Sequence, residues 1–250
     1  MSDAATSRVD DDHLRKCGVD LPTLTPFEQE SLDRDGYFVF PDAIDAALLD
    51  SLRKAFDEAS DNGPQVSKET GTRHINDLVN GDPVFQRVYT HRKILAAVYH
   101  VLRCAFRLSQ IGGRDPLPGF GQQGLHADWF VRAKAEPFRV VTTICLLDDF
   151  TTNNGATRLV PGTHHLLTQP PKSLAAPANR HPEQKVIVAT AGSVLAFNGH
   201  LWHSGTRNDS KLRRRVLQCV FVGRNEIRSA RLTCDAPDRL SSAARYILGL

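Results

Sequence analysis

The feature that most constrains the fold is a change of texture near residue 106. From there the chain is cut into short apolar runs, at 106–111, 124–131, 138–147, 157–160, 185–189, 193–198 and 214–222, separated by Gly, Pro, Asn and Asp. Runs of this length bounded by turn residues read as strands, and many short strands in succession imply a sandwich or barrel. The preceding hundred residues follow a helical period instead. Thr25-Pro26-Phe27-Glu28 supplies a capping residue, a proline for the first turn and an acid, which predicts a helix reaching Asp35-Gly36. Tyr37-Phe38-Val39-Phe40 reads as a strand ended by Pro41. Ile44, Leu48, Leu49, Leu52 and Phe56 form an apolar stripe at helical spacing that should stop near Asn62-Gly63-Pro64. One or two further helices fit 83–102, and a last one fits Ser241–Ile247. The expected architecture is mainly β with N-terminal helices: a polar, flexible arm over 1–22, then one domain over 23–250. That domain divides into a helical part (23–105), a β core (106–225) and a tail (226–250). Segments 63–82 and 112–121 read as loops, and the proline-rich 169–182 as a surface excursion.

Charge removes some functions from consideration. Lys and Arg total 31 against 28 acids, a net charge of +3, too balanced to point to nucleic acid or a membrane surface. No apolar run approaches the ~20 residues of a membrane span and no signal-peptide pattern opens the chain. The five cysteines, Cys17, Cys104, Cys145, Cys219 and Cys234, are an odd set without close spacing. They read as reduced thiols of a cytoplasmic protein.

Chemistry is concentrated around His126-Ala127-Asp128. On a strand, residues two apart share a face, so this imidazole and carboxylate would project together. A second imidazole from a distant strand would complete a two-histidine, one-carboxylate face for Fe(II), leaving open positions for a co-substrate and O2. The pair alone is weak, because ten His and 28 acids in 250 residues produce about one such pair by chance. His181-Pro182-Glu183 is a decoy of that kind. Downstream, His200 and His203 both offer the second imidazole. In Lys211–Phe221, strand alternation puts Arg213 and Arg215 on a solvated face and Arg214 alone on the core face. A buried arginine is costly unless a carboxylate meets it, and a dicarboxylic co-substrate would supply one.

Taken together, His126-x-Asp128, the block Asn154-Gly155-Ala156-Thr157-Arg158-Leu159-Val160-Pro161-Gly162-Thr163-His164, and His203…Asn208…Arg214 resemble the phytanoyl-CoA dioxygenase family. Asp35–Phe40 with the amphipathic helix after it is similar to the opening of that family. The resemblance implies a double-stranded β-helix (a jelly roll, cupin-like) and an Fe(II)- and 2-oxoglutarate-dependent dioxygenase. Such an enzyme oxidises a C–H bond of a small molecule, most simply by hydroxylation, and releases succinate and CO2. It selects His203 over His200, making His126, Asp128 and His203 the metal ligands. Arg214 would take the far carboxylate of 2-oxoglutarate, with Thr142 near it and Gln110 as a further contact. One position departs: the family often has Ser two residues after the distal histidine, where this chain has Gly205, with Ser204 one earlier.

Other readings stand beside this one. Desaturation, ring closure or epimerisation would use the same centre. From a different class, a metal-free or zinc-bound β-barrel could serve as a ligand-binding module, against which the core-facing Arg214 speaks. His164 and His165 read as turn-stabilising residues. Trp129 and Trp202 are substrate contacts or core aromatics. Arg73 with His74, Arg114, Arg132 and Arg158 lie near the expected entrance, and basic groups converging on a cleft favour an anionic or polar small-molecule substrate.

Overall fold

The computed structural model describes residues 12–19, 23–62, 69–134 and 136–250. Helix α1 (Pro26–Arg34) opens on a reciprocal cap. Glu28 N–H donates to Thr25 Oγ1, and Thr25 N–H donates to Glu28 Oε2 at 2.7 Å. Gly36 then turns the chain with φ +82°, directly beneath His164, whose ring leaves no room for a Cβ. Strand β1 (Tyr37–Phe40) follows, then α2 (Ala46–Asn62), β2 (Thr72–Ile75), the single turn α3 (Gln86–Tyr89) and α4 (Arg92–Leu102).

The β core comprises β3 (Phe106–Pro116), β4 (Val140–Leu146), β5 (Thr157–Leu159), β6 (Lys185–Val186), β7 (Val194–Asn198), β8 (His203–Gly205) and β9 (Val216–Gly223); α5 (Ser242–Leu248) closes the chain. One sheet has six strands in the order β1-β7-β4-β9-β3-β2, the other three in the order β6-β5-β8, and every pairing is antiparallel. This is the jelly roll.

Alternation along the central strands sorts side chains into two apolar layers. Val141 and Cys145 of β4, and Leu217, Cys219 and Phe221 of β9, face the helices and pack with Phe56, Ile94, Leu95 and Val98. Ile144 and Leu146, Leu195 and Phe197 of β7, and Val216 face the small sheet and pack with Leu159 and Ile187. β4 is buried along its whole length because helices cover one face and the second sheet the other.

Several expectations are corrected. Residues 124–131 are not a strand. His126 makes one isolated bridge to His203, while the backbone N–H groups of Leu125 and Asp128 go to Leu174 and Gly199, so no single partner strand runs alongside. The 63–82 segment contains β2. In 112–121, β3 runs on to Pro116, because Gly112 and Gly113 serve close packing: a Cβ on Gly113 would stand 2.6 Å from Phe56. Most of the expected N-terminal arm lies outside the described residues. Its described part, 12–19, packs against the barrel: His13, Leu14 and Cys17 are buried, and His13 Nδ1 is 3.0 Å from Tyr246 Oη on α5. Arg213 and Arg215 are ion-paired, not merely solvated. Both reach Asp57 of α2 at 2.8 Å; Arg213 also meets buried Asp115, and Arg215 meets Asp148.

Candidate metal centre

Two segments, the irregular 121–128 stretch and β8, bring His126, Asp128 and His203 together, with one donor atom of each within 4.8 Å of the others. The bridge between His126 and His203 has both N–H···O bonds, at 3.0 and 2.9 Å, and sets the two imidazoles 4.5 Å apart between centroids. Asp128 is fixed by its own N–H, which donates to Gly199 O at 2.7 Å. Each imidazole directs its Nδ1 at the carbonyl two residues earlier: His126 to Gly124 O at 2.9 Å, His203 to Leu201 O at 2.8 Å. That assigns the Nδ1 protons and leaves both Nε2 lone pairs facing Asp128, whose Oδ1 lies 3.4 Å from His203 Nε2. Burial pushes the Asp128 carboxyl up, but His203 and the hydrogen bonds it receives outweigh this and hold it at about 2. Burial pulls His203 down; the Asp128 carboxylate beside it prevails, and the imidazole sits above its ordinary range. His126 is lowered, by burial and by His203. Two Nε2 atoms and one carboxylate oxygen, lining one cavity, suit a divalent iron, which would displace any proton shared between His203 and Asp128.

A cavity of about 150 Å³ opens from this group and reaches Arg214, Thr157, Gln110 and Gln218. Arg214 is wholly buried. Its Nε donates to Gly155 O at 2.7 Å, with Nη2 on the same carbonyl, and its guanidinium lies 4.9 Å from the Phe150 ring centroid. Among the described residues no carboxylate pairs with it. Burial, with Arg114 nearby, pulls its pKa well below the ordinary arginine value, so the site calls for an anion.

The remaining expected residues fall in different places. His200 turns away from the group; its Nε2 accepts from Arg139 N–H and its ring packs against Phe138. Thr142, expected beside the far carboxylate of 2-oxoglutarate, donates to Asp128 Oδ2 at 2.6 Å. Gln110 lines the cavity. Trp202 is buried with Leu125 and Val160, and its Nε1–H donates to Thr168 O; the Trp129 carbonyl accepts from Gln169. Neither Trp lines the cavity, nor do Arg73 and Arg132. Of the arginines at the expected entrance Arg114 alone lines the cavity, and all four have partners. Arg73 is 3.5 Å from Asp115, Arg132 stacks on Phe138, and Arg114 pairs with Glu69 at 2.7 Å. Arg158 donates to the carbonyls of Gln123, Pro177 and Asn179 and to Ser204 Oγ. His164 and His165 both direct Nε2 at Asp33 O, so they tie their turn to the distant α1 and are not metal ligands. In the decoy, Glu183 N–H donates to His181 Nδ1 in a local turn. Gly205 has a steric reason: a Cβ there would stand 2.7 Å from Gly121 O and 3.0 Å from Arg114 Nη1.

His74, expected near the entrance, does line the cavity from β2; the sequence reading missed Asn76, the residue after that strand, and Thr157, which pairs with Gly205. Thr157 lies within the Asn-Gly block, so that motif could have pointed to it. Asn76 carried no signal, since the segment around it reads as loop and a lone asparagine there is ordinary.

The family model for phytanoyl-CoA dioxygenase (PhyH) matches residues 32–216. A relative named dioxygenase cdmA, from Talaromyces verruculosus, is 26% identical over 212 residues, covering 76% of this chain and 70% of its own. Among solved structures, HygX from Streptomyces hygroscopicus, crystallised with nickel, 2-oxoglutarate and hygromycin B, superposes with a TM-score of 0.69 at 18% identity, over 87% of this chain and 95% of its own. The epimerase SnoN from nogalamycin biosynthesis, described as non-haem and α-ketoglutarate-dependent, gives a TM-score of 0.65 at 19% identity, over 88% and 84%. These two likenesses concern the fold, whereas the family match spans most of the sequence and both halves of the candidate centre. The chain belongs to the phytanoyl-CoA dioxygenase family and is a 2-oxoglutarate-dependent non-haem iron oxygenase.

Proposed function

We propose that this chain hydroxylates a polar small molecule, with His126, Asp128 and His203 holding Fe(II) and Arg214 receiving the far carboxylate of 2-oxoglutarate. The observation that carries the reading is the shared cavity. It joins two imidazoles and a carboxylate, whose donor atoms converge, to a buried arginine that has no acidic partner among the described residues. Bound iron supplies the redox chemistry by which O2 and 2-oxoglutarate oxidise a C–H bond, giving hydroxylated product, succinate and CO2. The protein's part is positional. Arg214 orients the co-substrate, Phe197 and Ile144 exclude water beside the metal ligands, and the rigid β core keeps these groups in register.

Substrate polarity follows from the lining. His74, Asn76, Gln110 and Gln218 present uncharged hydrogen-bonding groups, and Arg114 is already neutralised by Glu69. That favours hydroxyl- or amide-bearing substrates over strongly anionic ones. HygX holds hygromycin B and a SnoN structure holds nogalamycin RO, in line with a small organic substrate. A cytoplasmic setting fits five cysteines that form no disulfide; no helix among the described residues is long and apolar enough to cross a membrane.

The test is anaerobic Fe(II) uptake, followed by succinate release with ascorbate, 2-oxoglutarate and a panel of polar and apolar candidates at two ionic strengths. Stimulation by neutral polar compounds, insensitive to salt, is expected. His203→Ala should lose both iron and turnover while His200→Ala keeps the metal. Iron binding that survives His203→Ala but not His200→Ala would overturn the ligand assignment.

A further inference from the structure

We infer that Thr142 is a positioning residue that decides which oxygen of Asp128 faces the metal, and is not a contact of 2-oxoglutarate. This rests on the metal-centre reading above. Thr142 is completely buried in β4, between Phe197 of β7 and Val220 of β9. Its Oγ1–H donates to Asp128 Oδ2 at 2.6 Å, while Asp128 Oδ1 is the oxygen 3.4 Å from His203 Nε2. A threonine hydroxyl has one proton, so this bond uses its donor capacity and leaves none for a co-substrate carboxylate.

The rest of Asp128 is already held. Its N–H is bonded to Gly199 O, and the place a Gly199 Cβ would take lies 3.2 Å from Asp128 Cβ, so the glycine lets the two backbones close up. What remains free is rotation of the carboxylate about its last torsion, which is broad and two-fold. A freely rotating carboxylate can offer one oxygen or both to a cation, and a second oxygen on the metal would fill a position the co-substrate or O2 requires. Thr142 removes that rotation by holding Oδ2 back. Among the inward-facing residues of β4 it is the one with a hydroxyl, since Ile144 and Leu146 are apolar and Thr143 faces away on the alternate side.

The experiment compares Thr142→Val, which removes the donor at similar volume, with Thr142→Ser, which keeps it. Fe(II) affinity is titrated anaerobically without 2-oxoglutarate, and the absorbance of the Fe(II)–2-oxoglutarate complex is then recorded. Thr142→Val should weaken Fe(II) binding about 10–100-fold, the usual effect of losing a group that orients a ligand, and alter the absorbance. Thr142→Ser should restore both. If Thr142→Val does not fold, Thr142→Ala makes the same comparison. Parent-like Fe(II) affinity in the Val or Ala variant, with only the 2-oxoglutarate Kd raised, overturns the inference. So does a Ser variant as weak as Val, which would mean that packing rather than the donor matters. A parent chain that takes up no Fe(II), or an unimpaired His203→Ala, would instead bring down the metal-centre reading and the inference with it.

Discussion

Arg214 concentrates the energetic logic of the site in one side chain. A guanidinium that is wholly buried, bonded to a single carbonyl and repelled by Arg114 is held at a cost by the folded protein. Binding a dicarboxylate relieves that cost, so the affinity for 2-oxoglutarate should depend on this residue more than on any other in the cavity. Losing the contact is expected to cost about 2–5 kcal/mol, roughly 30-fold to several-thousandfold in the KM for 2-oxoglutarate. Arg214→Ala should show this while Fe(II) titration stays parent-like. Arg214→Lys should rescue only partly, because an ammonium cannot reproduce the two-pronged geometry. An unchanged KM in Arg214→Ala would remove the arginine from the co-substrate site. His126 and His203 follow a different logic. Their Nδ1 atoms are tied to neighbouring carbonyls, so the tautomer that frees Nε2 is set by backbone two residues away.

Between elements, the centre is assembled where β8 meets the irregular 121–128 segment, and the close approach is built on glycines. Gly205 lies against Gly121 O, and Gly124 against Ala175 O at 2.0 Å from where a Cβ would sit. Position 205 therefore cannot carry a side chain without displacing Arg114 or the 121 turn. Gly205→Ser should destabilise by about 1–3 kcal/mol through overpacking and lower Fe(II) affinity as well. A thermal melt and an anaerobic titration would read the two effects, and a stabilised, tighter-binding variant would contradict the steric account. The loop over 172–184 is held in a related way, by Arg158 reaching the carbonyls of Pro177 and Asn179. An arginine that the sequence suggested for substrate thus serves the wall of the site. On the opposite edge, Arg213 and Arg215 bind Asp57 from both sides and tie α2 to the segment that presents Arg214.

For the whole molecule, acid sensitivity is expected from histidines whose burial outweighs any neighbouring carboxylate. Burial, with Arg224 nearby, lowers His13 to about 4; burial, with His165 nearby, lowers His164 to about 4. Above pH 6.5 both are neutral whether folded or not, and their contribution is fully present. Between 6.5 and about 4 the unfolded chain takes up protons that the folded chain refuses, so stability falls as pH falls, by at most about 3 kcal/mol for each. Urea midpoints across this window should show the slope, and His13→Gln should make it shallower; an unchanged slope would exclude His13 as a source. Periodicity and local chemistry were legible in the chain itself. The capped α1, the stripe of α2, the succession of short strands and the His126-x-Asp128 pair depend on near neighbours, for which sequence order is a sufficient guide; the distant His203 and Arg214 were assigned through the family resemblance. Tertiary structure alone decided what depends on contact between distant segments. Gly113 lets β3 run on beneath Phe56 of α2, and Arg114, Arg158 and Arg215 find partners 45, 21 and 67 residues away. The Thr142 hydroxyl meets Asp128 because β4 passes beneath the 121–128 segment. A side chain's partner is a property of the packed molecule, and no local pattern encodes it.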